Sequence, residues 1–418
     1  MLDETLTETL SLIDEEKPLP KGWRLETLEN LITEAQSGFA IGERDSNGAI
    51  QLRMNNVTTQ GTFDWTSFIR VPTNEETLEF YKLRAGDVLF NNTNSTELVG
   101  KTVLFRDHAE PVTFSNHFTR LRTRRDELEP GYLTHWLISQ FQQKVFADIC
   151  DKWIGQSAVQ KKKLLALKIP LPPTIEEQRR IASILDGQMK AVEQARLAVE
   201  EQLAAANLLP NAFLRSVFES EESQHWQKRK LGELCEVVRG SSPRPQGDKR
   251  YYGGNVPRLM VADLTRDGMF VTPKIDFLTE EGAKLSRPMK KGEVVMAVSG
   301  NPGLPAILAV DACIHDGFVG LRYLDTNKVN TKYLYHLLSV SKNDQSQNAT
   351  GAIFRNLTTD QVRAIEIPLP PTIEKQEKVV EKLNEQMQAV ETLKKSLIEK
   401  LEAVKKLPAA LLRKAFAG

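Results

Sequence analysis

The run Asn91-Asn-Thr-Asn-Ser95 consists of nothing but amide and hydroxyl side chains. Such groups both donate and accept hydrogen bonds, so a loop built of them can match the donor and acceptor pattern on the edge of a nucleobase. The same residues also make a plain solvated turn, and that alternative stands beside the first. Upstream, the loop Gln36 to Asn56 offers Arg44, Arg53, Asn55 and Asn56, and within the amide run Asn91, Asn92, Asn94 and Ser95 are the candidates. Lys101 and the run Lys161-Lys-Lys163 are point charges of the kind that meet phosphate oxygens, although the run equally suits a solvated face. In the second half of the chain the richest stretch runs from Arg239-Gly-Ser-Ser-Pro-Arg244 through Lys249-Arg250-Tyr251-Tyr252 to Arg258. It contains Ser241 and Ser242, and it interleaves cations with aromatic rings and turn formers, a composition that fits a nucleic-acid-facing loop. Ser299 and Asn301 stand where the amide run stands in the first half. Arg355 lies in a Gly/Asn-rich segment before a proline-rich stretch, and Trp153 and Gln156 hold the corresponding place in the first half.

Catalytic chemistry has much less to work with. Gly100-Lys101-Thr102 resembles the end of a phosphate-binding loop, but the pattern requires glycine where Ser95 stands. No Asn-Pro-Pro-aromatic stretch of an amino-methyltransferase is present, and Asn301-Pro-Gly is a turn. The 6 histidines have no helical metal-ligand spacing. His135 and His336 recur at matching places, where helix packing explains them better than catalysis. The carboxylates form no nuclease-like arrangement. These residues predict a chain that performs no chemistry and holds no metal.

Readers of this kind need a frame, and the frame is written twice. Ile169-Pro-Leu-Pro-Pro-Thr-Ile-Glu176 returns as Ile367 to Glu374, and the copies align without a gap through Phe218 and Phe416, with about half of their positions identical. Each copy opens with prolines (Pro170, Pro172, Pro173; Pro368, Pro370, Pro371) that read as an extended strut. Thr174 and Thr372 are expected helix N-caps, with Glu177 completing a capping box that Lys375 breaks in the second copy. Apolar residues then recur at three- and four-residue steps: Ile181, Leu185, Met189, Val192, Val199, Leu203 and Ala206, answered by Val379, Leu383, Met387, Val390, Leu397, Leu401 and Val404. This is a coiled-coil seam, and two such seams in one chain most simply pair with each other; packing of each helix on its own globular neighbour is the alternative. Pro210 and Pro408 are expected to kink both helices at the same place. About fifty ångströms of helix follows from thirty-odd residues, enough for a spacer.

The 418 residues suffice for two or more domains with sizeable cores. The boundaries read as an arm with a short amphipathic helix at 1–19, a globular segment at 20–168, a strut and long helix at 169–224, a second globular segment at 225–366, and a second strut and long helix at 367–418. Leu2, Leu6, Leu10 and Ile13 give the arm one apolar face, expected to pack beside the end of the second long helix. The 3 cysteines lie far apart, so a reducing compartment is expected; no secretory signal or membrane-length apolar run is apparent, which predicts a cytoplasmic protein without a membrane. Net charge is 0, but it divides unevenly: about −5 for the arm, +1 for the first globular segment, −4 for the first helix, +5 for the second globular segment and +3 for the second helix. Local basic patches can therefore meet DNA.

The globular segments repeat one plan at low identity. In the first, short β-type runs (Ile50 to Met54, Asp87 to Phe90, Lys101 to Phe105, His117 to Arg122) precede a helix expected at Gly131 to Cys150. Trp23, Leu28 and Leu31 answer Trp226, Leu231 and Leu234 at equal spacing. Tyr132-Leu-Thr-His-Trp-Leu137 answers Tyr333-Leu-Tyr-His-Leu-Leu338. The loops between these matches diverge, as expected of related scaffolds with different targets.

Leu19-Pro-Lys-Gly-Trp23, the duplicated strut followed by Gln178 and Gln376, Gly86-Asp-Val-Leu-Phe90 with Gly292-Glu-Val-Val-Met296, and Tyr251-Tyr-Gly-Gly-Asn-Val-Pro257 together resemble the specificity subunit of type I restriction-modification systems over essentially the whole chain. The resemblance implies an α+β protein with an internal pseudo-two-fold repeat, in which two mixed α/β target recognition domains are separated by two long antiparallel coiled-coil helices. It implies that each domain reads one half of a bipartite double-stranded DNA target in the major groove, and that the helices set the unread gap and dock two modification subunits. Those partners would carry S-adenosylmethionine and methylate adenine, and restriction (translocase) subunits would join the full complex. A spacer of about fifty ångströms is compatible with half-sites about 34 Å apart on one face of B-DNA. A specificity subunit of a related system with a fused methyltransferase-nuclease chain, and a coiled-coil scaffold or adaptor that does not bind DNA, are the competing readings.

Overall fold

The computed structural model describes residues 19–343 and 358–416. The chain divides into two units, Met1–Glu200 with Glu399–Gly418, and Glu201–Ile398. The apolar face expected in the arm and Arg355 lie outside the described residues.

In the first unit the residues after Trp23 form a strand, Arg24–Thr27, that pairs antiparallel with Lys168–Leu171. The proline-rich lead is thus half of a two-stranded ribbon, where each strand keeps one open edge on which proline costs no ladder bond. The Tyr132 hydroxyl donates to the Pro170 carbonyl at 2.6 Å and ties the ribbon to the helix Pro130–Gln142. Behind the ribbon lies an antiparallel sheet in the order Ile32–Ser37, Phe118–Thr123, Val88–Asn91, Thr102–Leu104. Its residues alternate in the period-two manner of a sheet buried on both faces. Val88, Phe90 and Leu121 pack with Tyr132, Leu133 and Leu137, while Leu89, Val103 and Phe118 join Ile50, Leu52 and Phe114 beneath a smaller sheet of Ile69–Val71, Ala49–Leu52 and Val112–Phe114. The helix expected over Gly131 to Cys150 is instead two. Lys144 takes a left-handed φ of 65°, and the redirected segment Val145–Ile149 turns Phe146 into an edge contact with Phe90 at 4.9 Å.

The second unit repeats these steps. Gln227–Lys230 pairs with Glu366–Leu369, and the Tyr333 hydroxyl donates to the Pro368 carbonyl at 2.7 Å. The central sheet runs Glu236–Arg239, Phe318–Arg322, Val294–Ala297, Pro305–Leu308, with Phe270–Val271 added in parallel at the edge. The smaller sheet runs Asp276–Leu278, Tyr252–Leu259, Ala312–Ile314, Arg287–Met289. Leu28, Leu31, Leu231 and Leu234 are all buried, and Leu28 and Leu231 donate their backbone N–H groups to Leu167 and Ile365, each at 2.9 Å.

Both long helices, Ile175–Phe218 and Ile373–Phe416, continue as helix past Pro210 and Pro408, the prolines expected to kink them. A proline removes one hydrogen bond and crowds one carbonyl, and here burial of the residues beyond it offsets that cost. In the second unit Leu214 and Phe218 enter the core with Val380 and Leu383, and Phe218 meets the Tyr333 ring edge-on at 5.4 Å. In the first unit Leu412 packs with Leu185 and Ile138, and Phe416 meets Tyr132 edge-on at 5.2 Å. Each unit therefore pairs the start of one long helix with the end of the other, the antiparallel arrangement, while the start also packs on its own globular neighbour. Thr174 and Thr372 cap their helices, accepting from Glu177 and Lys375 backbone N–H groups at 3.2 and 3.3 Å. The Glu177 carboxylate, expected to complete a capping box, is instead gripped by Arg180 at 2.8 and 2.7 Å.

Candidate nucleic-acid interface

The loops chosen by composition emerge at equivalent places in the two units. In the first, strand Ile32–Ser37 ends at Gly38, whose N–H donates to the Phe118 carbonyl at 3.1 Å; in the second, Glu236–Arg239 ends at Gly240, whose N–H donates to Phe318 at 3.0 Å. A Cβ on Gly38 would lie 2.3 Å from the Phe114 carbonyl oxygen, and one on Gly240 would lie 1.9 Å from that of His315. Only glycine lets the chain leave the sheet this close to its neighbour. Each loop then returns as a strand, Ala49–Leu52 in the first unit and Tyr252–Leu259 in the second, that pairs in parallel with Val112–Phe114 or Ala312–Ile314, the strand that ends beside the root glycine. The second pair of loops also corresponds. Asn92 N–H donates to the His117 carbonyl at 3.0 Å, and Val298 N–H donates to Gly317 at 2.8 Å.

Within the first unit many of the candidate polar groups form the frame. Asn91 is buried and donates to the Thr93 and His117 carbonyls at 3.0 and 2.8 Å. Its side-chain oxygen accepts from Asn94 at 2.7 Å, Asn92 donates to the Thr119 hydroxyl at 3.0 Å, and the Asn94 oxygen accepts the Ser95 N–H at 2.8 Å. Asn56 is buried, accepting from the Arg53 N–H at 2.9 Å and donating to Asp64 and Ser67 carbonyls at 3.0 and 2.6 Å. Lys101, expected on phosphate, is corrected: its amine donates inward to the Met54 and Val57 carbonyls at 2.6 and 2.5 Å, and burial holds its pKa below the usual lysine range. Asn56, Asn91 and Lys101 thus shape the loops from inside. Arg44 is exposed and curls onto the carbonyls of Ile41, Gly42 and Glu43, while Arg53 and Asn55 are exposed beside the buried Asn56.

A small sheet of Asp151–Trp153, Gln156–Ala158 and Thr93–Asn94 brings the Trp153 and Gln156 hairpin against the amide run, with Ser157 opposite Asn94. In the Lys161-Lys-Lys163 run, Lys163 is held by the Asp151 carboxylate at 2.7 Å and the Ile149 carbonyl at 2.9 Å, and Lys161 reaches the Ala35 carbonyl at 3.2 Å. Lys162 is exposed.

The second unit sorts its candidates the same way. Arg258 is buried, forms an ion pair with Asp276, donates to the Ser242 hydroxyl at 3.0 Å and lies over the Tyr252 ring at 5.4 Å. Ser242 in turn donates to Asp316 at 2.8 Å, Ser241 donates to the Leu285 carbonyl at 3.0 Å, and Tyr252 donates to the Pro243 carbonyl at 2.8 Å. Arg258 is accordingly corrected from a reader to the brace of its loop. The Ser242 hydrogen bond, ahead of opposing burial, holds the Asp316 carboxyl below its ordinary range. Outside this frame stand Arg244, 3.5 Å from Asp316, and Lys249 and Arg250, all exposed. Arg250 is shared between the Asp248 carboxylate at 2.7 Å and the face of Tyr251 at 5.2 Å. Ser299 and Asn301 are half-buried on the neighbouring loop.

Sequence reading missed the two loop-root glycines, because their spacing from the leading tryptophan differs by one residue between the copies. It also missed Arg120, which is fully buried against Glu34 and Gln36 and over the Phe114 ring at 5.4 Å. Among the described residues no cluster of His, Cys, Asp and Glu is placed to hold a metal, and no helix is long and apolar enough to cross a membrane.

Comparison with known proteins agrees with this geometry. The family described as type I restriction modification DNA specificity domain matches twice, over residues 34–201 and 223–403. The chain is 25% identical over 382 residues to a putative type I restriction enzyme MjaX specificity subunit of Methanocaldococcus jannaschii, covering 87% of each protein. It is 25% identical over 202 residues to the EcoKI specificity subunit of Escherichia coli, covering 48% of this chain and 43% of that one. In fold it is similar to the HsdS subunit of Thermoanaerobacter tengcongensis, with a TM-score of 0.66 at 24% identity over 97% of this chain and 99% of that one. A chain from a solved type I R-M system gives a TM-score of 0.71 at 24% identity over 96% and 99%. Matched twice along most of its length, the chain belongs to the type I restriction-modification DNA specificity subunits, the non-catalytic components of those systems.

Proposed function

We propose that each unit reads one half of a bipartite double-stranded DNA target, and that the paired helices fix the unread gap and dock two methyltransferase subunits. The observation that carries this reading is the pair of equivalent loops. They leave matching sheets at Gly38 and Gly240, yet present different side chains: Arg44, Arg53 and Asn55 in one, Arg244, Lys249 and Arg250 in the other. A repeated scaffold with unequal tips suits an asymmetric split sequence. The exposed apolar residues Ile184, Leu197 and Leu208 on the first long helix, and Leu393, Ile398 and Leu407 on the second, supply contact area for the docked subunits. In this arrangement S-adenosylmethionine sits on those partners, restriction subunits complete the complex, and the assembly works on DNA in the cytoplasm.

The test is to co-express the chain with the methyltransferase encoded beside it and map methylated adenines across the host genome by single-molecule sequencing. Two short defined halves around a fixed gap are expected. Methylation of a continuous motif, or no complex at all, would return the scaffold reading to the front.

A further inference from the structure

The hairpin Asp151–Trp153 and Gln156–Ala158 carries an apolar tip in open solvent. Trp153 pairs with Gln156 across a two-residue turn closed by Gly155 at a φ of 79°. Trp153 is 62% exposed and Ile154 is fully exposed, while the same unit's other tryptophans, Trp23, Trp65 and Trp136, lie in or against its cores. Neither residue belongs to any of the hydrophobic clusters formed by the described residues, so the cores do not require large apolar groups at this turn. The root, by contrast, is clamped. Ser157 is buried and shares a hydrogen bond with Thr96 at 2.8 Å, Val159 N–H donates to the Asn92 carbonyl at 2.9 Å, and Asp151 is held by Lys163 and Gln160 at 2.7 and 2.6 Å. A stiff base with a bare apolar tip is a tool for entering something.

Two facts indicate what it enters. Strand Gln156–Ala158 is hydrogen-bonded to Thr93–Asn94, so the tip is continuous with the amide run, whose Asn92, Asn94 and Ser95 stay half-exposed. The tip is also flanked by exposed Lys152 and Gln156, a cation for phosphate and an amide for a base edge. A flat indole and an aliphatic neighbour between such groups match the wedges that partly unstack a base step. Resting on the DNA-reading function above, we propose that Trp153 and Ile154 wedge into a base-pair step of the half-site bound by the first unit. That unit then selects for a deformable step as well as for hydrogen-bonding edges, because the cost of opening the step depends on its sequence.

The experiment uses the complex with its methyltransferase subunits and oligonucleotides carrying 2-aminopurine at successive positions of the mapped target. One step in the first unit's half-site is expected to brighten several-fold on binding, and Trp153→Ser with Ile154→Ser should abolish that signal and weaken binding about tenfold. Trp153→Phe should restore most of it, and the salt dependence of binding should not change, since no phosphate contact is lost. If every position stays dark while substitutions in that half-site still abolish binding, the wedge is wrong and the reading by this unit survives. If substitutions in that half-site have no effect, the reading itself fails. Quenching of Trp153 by the methyltransferase subunits without DNA would assign the tip to a protein contact and overturn the proposal.

Discussion

The side-chain oxygen of Gln178 accepts the backbone N–H of Glu129 at 2.9 Å, while its amide donates to the Glu127 carbonyl at 2.9 Å. One glutamine in the first turn of a long helix thus clasps the loop that starts the helix Pro130–Gln142. Gln376 repeats the clasp, accepting from Asn330 at 2.8 Å and donating to Lys328 at 3.0 Å. Both glutamines are buried, so neither loop has water at hand to replace them.

Gln178→Ala is therefore expected to destabilise the first unit by roughly 1–3 kcal/mol, the cost of stranding buried polar groups, and Gln376→Ala should do the same to the second. Hydrogen exchange read peptide by peptide checks this: protection should fall in residues 125–142 for one variant and 326–338 for the other. Uniform loss across both units, or no loss, would mean that the clasps are incidental.

Mild acid should loosen the second unit first. His336 reaches Asn384 at 3.2 Å, and its pKa is lowered chiefly by burial, with Asn384 opposing and Lys332 adding to the shift. His315, in the same unit, is lowered by burial and by Arg258. An imidazole lowered on folding takes up its proton at higher pH in the unfolded chain, so stability is lost as pH falls through the ordinary histidine value of 6.5. In the first unit the matching His135 meets a carboxylate, Asp186, at 2.9 Å. Burial raises the Asp186 pKa, but His135 and Arg106 outweigh it and hold it below 3.8, so this carboxylate's contribution is lost only in stronger acid. Thermal unfolding followed from about pH 7.5 to 5.5 should show a falling Tm that His336→Gln flattens. An unchanged slope in that variant would assign the pH response elsewhere.

Arg244 and Arg258 lie on one loop and should behave oppositely. Arg244→Ala should leave the Tm alone and cost roughly 1–3 kcal/mol of discrimination between target and mutated half-site, the range for a bidentate contact to guanine. Arg258→Ala should strand Asp276 and cost about 2–3 kcal/mol of stability, less than for a fully buried pair because Asp276 is 28% exposed. Binding assays on both half-sites alongside calorimetry separate the two roles. Equal discrimination by Arg244→Ala and wild type would take Arg244 off the list of readers.

How far the fold could be read in advance depended on the kind of signal. The struts, the capping threonines and the helical seam were legible because identity and a regular period state them directly: Leu185, Val199, Leu383 and Val390 are all buried as that period requires. At Pro210 the local cost is visible in sequence, whereas the burial of Leu214 and Phe218 that offsets it is tertiary. The candidate interface was legible as loops but not as individual residues. An asparagine or lysine reads alike whether it faces solvent or, like Asn91 and Lys101, turns inward to bind carbonyls. Arg120 and Arg258 were opaque for the same reason, since their carboxylate partners lie far away in sequence.

The loop-root glycines give the sharpest separation of scaffold from reader. Gly38→Ala and Gly240→Ala each push a methyl group against a backbone carbonyl at 2.3 and 1.9 Å, and neither carbonyl can retreat without disturbing its sheet. Each change should cost roughly 1–3 kcal/mol, as overpacking does, and the strain falls where the reading loop begins. Because the glycines sit in different units, Gly38→Ala is expected to relax selectivity in one half of the target only, and Gly240→Ala in the other. Methylome mapping of strains carrying each variant would show this as one degenerate half beside one intact half. Equal degeneracy in both halves under either substitution would mean that the two units do not read independently.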